Sequence, residues 1–425
     1  MERAAAYPNA AVTTLYARYG PVFAFGFGPL RFTWLIGADA NRFVLQDAAA
    51  HFTLRRAYHF LQPITGDYAL ITSDEPAHLR RRRLVQPAFH HKRLTSVIGL
   101  IDRRFGDLFA SLPSAQPFDL YSAVRPSILR IICETLLGRE TLRRTPELVT
   151  HVGAMMAFAN RPLLAQQLRV PLPGTPWQRF VRSRRSADKL LFAEIARRRG
   201  GEPTDDVIGM LLEAKDEAGE GLSDREVRDQ AVSLVSAGFD TTSAALSWAV
   251  YALLAHPDAL VRLREEVSGL GDDMRDLTLT SLSSPYLERV VKETLRLYPP
   301  APAGLRQADR DLEYASYTLR KGSLVAFSSH LTHRLAPYRD PLTFNPERWN
   351  AESGEADKPP PFAYLPFGGG SRYCIGASLA TTILKVALIR LLQRYEVQAA
   401  WTSPVEETGN TVHPKNGLWV RLNPL

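Results

Sequence analysis

Apolar residues recur at helical spacing along most of the chain. Ile98–Leu112, Ile128–Leu137 and Leu148–Ala159 each carry such a stripe, and Ala377–Leu392 is apolar almost throughout. Ser223 followed by Glu226 is a capping box, and the helical pattern behind it runs to Ala255, stopped by His256-Pro257. That helix is about 32 residues, or roughly 48 Å at the standard rise, long enough to cross a whole domain. A shorter helix starts at Pro285, with Ser284 as N-cap, and ends at Tyr298 before Pro299-Pro300. Strand signals are few: Val22–Phe25 with Arg31–Ile36 around Gly26–Pro29, Leu324–Ser328, and an extended Ala301–Arg306. Asp39 is placed to cap a short helix toward Gln46, and Gly409–Val412 to Leu422 reads as a final hairpin. The pattern is mainly α with small β-sheets.

Where periodicity fails, loops are expected. Ala57–Ser73 mixes aromatic residues with Pro and Gly, and suits a loop over a pocket. Asn160–Pro176 holds four prolines and a glycine between helices, a candidate lid. Gly200–Glu202 and Asp216–Gly221 read as exposed connections. No linker divides the 425 residues, so one domain over 1–425 is expected, and 45% hydrophobic content supports a sizeable core. Met1–Pro8 carries no signal-peptide pattern and no run of 18 apolar residues occurs, so a cytoplasmic protein without a membrane span is expected. Two cysteines exclude a disulfide framework and fit a reducing compartment; Cys133, in Ile131-Ile132-Cys133, reads as core.

A formal charge of +8 raises nucleic acid as a partner. The arginines fall in short clusters (Arg80–Arg83, Arg182–Arg185, Arg197–Arg199) without interleaved aromatics, which argues against it. A docking face for an acidic protein, or simply solvated helix faces, explains them better.

Four groups of residues carry chemistry. In Phe367-Gly-Gly-Gly-Ser-Arg372-Tyr-Cys374-Ile-Gly376, the cysteine precedes a helix and follows three glycines. The helix dipole, the backbone N–H groups that Gly368–Gly370 can aim, and Arg372 all favour a thiolate. Such a sulfur serves as nucleophile or metal ligand, and no local histidine supports the nucleophile; the plain alternative is a buried structural cysteine. His78 and Arg82 are four apart on one predicted helix face, where they could clamp an anion or be a solvated basic turn. In the middle of the long helix stands Ala237-Gly238-Phe-Asp240-Thr241-Thr242, poor helix chemistry of the kind found at functional sites. Gly238 leaves room for a flat cofactor, while Asp240 and Thr241 offer an exchangeable proton and a hydroxyl; the alternative is a polar patch at a helix contact. Glu293 and Arg296 share a helix face, and Phe344-Asn-Pro346-Glu-Arg348-Trp349 offers a third charge.

Together these motifs resemble the cytochrome P450 family, in order, over residues 20 to 425. The resemblance implies haem b (iron protoporphyrin IX) between the long central helix and the Cys-bearing helix. Cys374 would be its axial thiolate, with Phe367 beneath the sulfur and Gly368 and Gly376 shaping the loop. Arg372, His78, Arg82 and Arg306 would pair with propionates, and Ala237 and Gly238 would lie against the porphyrin. Asp240 and Thr241 would deliver protons for O–O cleavage, while Glu293, Arg296 and Arg348 would be scaffolding. Substrate-facing positions implied by loop location are Phe60, Ile64, Phe158, Leu234, Ala237, Ala303 and Asn410. The implied activity is insertion of one oxygen atom from O2 into a small lipophilic substrate. Electrons would come from an acidic ferredoxin or flavodoxin with its NAD(P)H reductase. A peroxide-driven or other haem-thiolate enzyme, or a haem-binding sensor, stands as the alternative.

Overall fold

The computed structural model covers residues 1–425, and the described residues are all except 1–7, 29–30, 160, 162–165, 167–168, 202–203, 271–280, 336 and 354–355. Two compact units emerge, both discontinuous in sequence. One comprises 1–53, 94–125 and 241–425; the other comprises 54–93 and 126–240. The expected reading of Met1–Pro8 falls outside the described residues apart from Pro8, and so do 160, 162–165 and 167–168 of the Asn160–Pro176 segment.

In the first unit, a five-stranded sheet runs in the order Val22–Phe25, Phe32–Leu35, Leu324–Ser328, Ala303–Ala308, Phe52–Thr53. Phe32–Leu35 and Leu324–Ser328 are parallel, and the other pairs are antiparallel. Its inward side chains form a core with Val22, Leu35, Val325 and Phe327, against which Val44, Leu45 and Leu365 pack. Gly304 is required here, because a Cβ at that position would sit 2.2 Å from the Phe327 ring on the neighbouring strand. Asp39 does not cap the helix that follows. Gly37 does, with φ of 112° that an L side chain rarely adopts, and the α-helix Ala38–Arg42 then widens into a π-helical turn, Phe43–Asp47.

The expected C-terminal hairpin divides in two. Glu407–Thr408 pairs with His413–Pro414 across the turn, whereas Trp419–Pro424 pairs with Tyr395–Ala399 and Phe118–Asp119. The turn is pinned from two sides: Trp248 Nε1 donates to the Val412 carbonyl at 3.0 Å, and Val412 N to the Pro300 carbonyl. Trp248 is fully buried and stacks on Tyr298 at 4.7 Å between ring centroids.

The second unit is helical. Glu147–Ala159 and Pro176–Arg199 pack on each other through Phe158, Phe180 and Trp177. Arg198, buried, ties three segments together: it donates to Glu194 (2.7 Å), Asp206 (2.7 Å) and the Leu137 carbonyl (3.1 Å). Asp206 in turn caps the helix Val207–Glu213 through Gly209 N. Burial raises the Glu194 carboxyl, but hydrogen bonds from Arg197 and Arg198 outweigh it and hold the group at about 2.

Helix Leu120–Leu137 begins eight residues before the predicted Ile128, because Pro126 interrupts the pattern without ending the helix. The long helix is one element, Asp224–Ala255, and Ser223 closes its N-terminus as a capping box: Glu226 N donates to Ser223 Oγ and Ser223 N to Glu226 Oε2 at 3.0 Å. The helix Pro285–Leu297 departs from expectation at its start. Ser284 is at the N-cap but its side chain does not cap the helix, and the Glu266 carboxylate accepts from Tyr286 N and Leu287 N, both at 2.9 Å. A longer acidic side chain from the preceding helix satisfies the donors that serine was expected to take.

Candidate active site

Cys374 is exposed, at the end of a loop whose backbone is tied to itself. Gly368 N donates to the Leu365 carbonyl, Tyr373 N to Gly370 and Cys374 N to Phe367 at 2.9 Å. These three amides hold the loop in its shape. Gly370 has a different necessity. Its φ is 64°, and a Cβ there would stand 2.5 Å from the Leu45 carbonyl oxygen. The loop can lie on the π-helical turn only without that side chain. Behind Cys374 runs helix Ala377–Arg394, with Gly376 at its N-cap, so the thiol does sit at the positive end of a helix. Phe367 is half-buried and packs at 6.3 Å from the Tyr373 ring; Arg372 is half-buried. Cys133 is the contrast: fully buried, its thiol is pushed up to about 12, chiefly by burial and then by Glu134. It is core, as read.

Along the long helix, residues 226–250 are buried except on one stripe. Leu234, Gly238 and Thr241 are half-buried, Ser236 is half-buried beside them, and Ala237 is exposed. Positions 234, 237, 238 and 241 follow i, i+3, i+4, i+7 spacing, so a single face opens in the middle of a core helix. Asp240 is 6% exposed and lies off that stripe. Gly238 is not explained by a flat neighbour alone. A Cβ there would be 3.0 Å from Ile132 Cδ1, so its missing side chain lets helix Leu120–Leu137 approach closely.

Arg306 is buried on its strand; its Nη1 donates to the Leu305 carbonyl, and its guanidinium lies 5.5 Å from the Phe327 ring. In helix Ala77–Val85, His78 is buried with Nδ1 2.8 Å from Glu75, and Arg82 is half-buried one turn on. Among the substrate-facing positions, Phe60 and Ala303 are half-buried and Asn410 is exposed at the tip of the Glu407–Pro414 hairpin. Ile64 is buried at 2%, and Phe158 is stacked on Phe180 at 4.7 Å, so the Phe158 ring is part of a helix-pair core.

Glu293 is wholly buried and accepts five hydrogen bonds: from Arg296 Nε and Nη2, Arg348 Nε, Asn345 N and Trp349 Nε1, all at 2.9 Å. Asp357, missed in the sequence, pairs with Arg348 and offsets the second guanidinium. His333, also missed, is fully buried beside this network. Its only sequence signal was a polar Thr-His-Arg following a strand.

The arginine clusters are largely consumed. Arg80 pairs with Asp216, Arg81 with Glu226, Arg197 and Arg198 with Glu194, and Arg199 with Asp224; Arg182 and Arg185 stay exposed. These pairs hold helices and loops of the second unit together. Among the described residues no single helix is long and apolar enough to cross a membrane.

A thiol presented on a locked, glycine-bearing loop at a helix N-terminus suits a haem held by cysteine. The comparisons agree. The family model for cytochrome P450 matches residues 3–420. Cytochrome P450 139 of Mycobacterium tuberculosis is 36% identical over 404 residues, covering 92% of each chain, and cytochrome P450 135B1 of the same organism is 33% identical, covering 92% of this chain and 82% of its own. The structure of retinoic acid-bound cyanobacterial CYP120A1 superposes with a TM-score of 0.88 at 28% identity, covering 97% and 94% of the two chains. A cytochrome P450DA haem domain shares the fold at a TM-score of 0.85 and 23% identity. The chain therefore belongs to the cytochrome P450 family of haem monooxygenases.

Proposed function

We propose that this enzyme uses haem b to insert one oxygen atom from O2 into a lipophilic organic molecule, by hydroxylation or epoxidation. The observation that carries this is Cys374, exposed on a loop held by its own amides and backed by a helix N-terminus. Haem, when bound, supplies the oxygen-activating chemistry. The chain's residues do the rest. Cys374 would hold the iron through its thiolate, the anion favoured by the helix end. Phe367 would pack beneath the sulfur, and Gly368 and Gly376 would complete the cofactor-binding loop. Arg306, Arg372, His78 and Arg82 would neutralise the carboxylates of the cofactor. The stripe of Leu234, Ala237, Gly238 and Thr241 would face it, with Thr241 holding a proton at its hydroxyl and Asp240 resupplying it. Phe60, Ala303 and Asn410 would contact substrate, with Ile64 and Phe158 stiffening the wall from behind. Glu293, Arg296 and Arg348 are scaffolding.

Electrons would arrive from an acidic ferredoxin or flavodoxin with its NAD(P)H reductase, consistent with a net charge of +8. Both cysteines are free thiols, and we place the enzyme in the reducing cytoplasm, with residues 1–425 working as one catalytic domain.

Two measurements test this. The reduced carbonyl complex should show the thiolate-type Soret band in the native protein and lose it in Cys374→Ser. With a ferredoxin system, Thr241→Ala should divert reducing equivalents from product to peroxide. Full turnover with peroxide alone, undiminished in Thr241→Ala, would point to the peroxide-driven class instead. Absence of product from a broad lipophilic panel under ferredoxin reduction would point to a sensor.

A further inference from the structure

His333 sits at a junction. Its ring is fully buried, and both nitrogens are engaged: Nδ1 lies 3.0 Å from the Arg296 carbonyl, and Nε2 lies 2.8 Å from Leu365 N. A carbonyl only accepts and an amide N–H only donates, so the ring must carry its proton on Nδ1 and leave Nε2 bare. Reciprocally, Arg296 Nη1 donates to the His333 carbonyl at 2.7 Å. On the other side, the Leu365 carbonyl accepts from Gly368 N, and the Phe367 carbonyl accepts from Cys374 N. A continuous run of buried hydrogen bonds thus starts at Glu293, passes through Arg296 and the imidazole, and enters the cysteine loop. No other described side chain is seen to join that network to Leu365 N.

We propose that His333 is a positioning residue for the Cys374 thiolate, transmitting the fixed geometry of the Glu293–Arg296 network to the cysteine loop through its bond to Leu365 N. The inference rests on the reading of Cys374 as the axial ligand. Burial pushes the ring to about 3, so the neutral, single-tautomer form persists across the range in which a protein of this kind works. An imidazolium would put a donor against the Leu365 N–H and break the link.

Two substitutions separate the ring's two bonds. His333→Asn places an amide where Nδ1 stands and keeps the Arg296 carbonyl satisfied, but does not reach Leu365. His333→Gln places its carbonyl oxygen near Nε2 and keeps Leu365 N satisfied. Orphaning one buried donor shifts an equilibrium about tenfold. The expected result is that Asn raises the ratio of the blue-shifted, protonated-thiol carbonyl band to the thiolate band about tenfold, with a raised reduction potential, while Gln stays near native. An Asn variant with the native band ratio and potential, or a Gln variant more perturbed than Asn, overturns the proposal. Hydrogen exchange on the native holoenzyme closes the remaining gap: the Leu365 amide should be protected like the Pro285–Leu297 core, and free exchange there overturns the proposal even if neither variant folds. A native protein without any thiolate band sinks the ligand assignment itself, whereas a native band with an indifferent Asn variant sinks only the role of His333.

Discussion

Gly238 is the place where two physical accounts of one residue make different predictions. In Gly238→Ala the added methyl would stand 3.0 Å from Ile132 Cδ1, 3.6 Å from Cγ2 and 3.8 Å from Cγ1. Only the first contact is too close. Alanine gains about 1 kcal/mol of helix propensity over glycine, against about 1–3 kcal/mol for overpacking a tight core. The single variant should therefore be destabilised by roughly 0–2 kcal/mol. Ile132→Val removes the offending Cδ1 and nothing else, at a cost of about 0.5–1.5 kcal/mol alone. In the Ile132→Val background the new methyl meets ordinary van der Waals contact, so the helix gain should survive, with a coupling of about 1–2 kcal/mol between the two changes. Urea unfolding of the four proteins, followed by tryptophan fluorescence, gives the cycle, and the ferric Soret band gives the cofactor environment. A coupling below about 0.5 kcal/mol would refute the packing account. A Soret shift that persists in the double variant would return Gly238 to the cofactor.

Three further outcomes are expected. Glu293→Gln leaves two buried guanidinium groups without their shared anion and should cost about 3–5 kcal/mol, read from the urea midpoint; a loss under about 1 kcal/mol would mean that Asp357 carries the pairing. Gly370→Ala combines a φ of 64° with a 2.5 Å approach to the Leu45 carbonyl, and should cost about 2 kcal/mol or more together with the thiolate carbonyl band, while Gly106→Ala, with open space around its Cβ, leaves that band intact. His333 is depressed in the fold, to about 3: its contribution is whole above the unfolded value near 6.5 and is lost as pH falls, because only the unfolded chain takes the proton. Stability should thus drop by about 1.4 kcal/mol per pH unit below roughly 6 from this residue alone, and His333→Gln should flatten the acid limb by about one proton, checked by urea midpoints across that range.

The elements that sequence disclosed best were those whose local chemistry and long-range packing agree. The Ser223–Glu226 box and the long helix behind it needed nothing from elsewhere, and both appear as read. The helix at Pro285 did need something: its cap comes from Glu266, on a different helix, which no local pattern signals. Pro126 hid the first turns of Leu120–Leu137, because a proline inside an apolar pattern reads as a helix boundary, whereas here the helix continues through it. The hairpin after Gly409 was half legible: the turn was visible, but the partner of Trp419–Pro424 lies at Tyr395–Ala399, a pairing that composition cannot specify.

The same distinction separates the charges that were legible from those that were not. A cluster of arginines in sequence looks like a surface, because sequence shows cations together and not the anions that meet them. Arg198 shows this within the Arg197–Arg199 cluster: six residues after Phe192 on a solvated-looking helix, it is buried and held by Glu194, Asp206 and the Leu137 carbonyl. A guanidinium is retained in such a place only where every donor finds an acceptor, and the acceptors are 4, 8 and 61 positions away. His333 obeys the same rule, with acceptor and donor supplied 37 and 32 positions away. Neither residue lies within a motif, and each joins segments that motifs leave separate. The helix start behind Cys374 was readable because it is local to its loop; what keeps that loop in place is not local, and that is why it had to be seen in three dimensions.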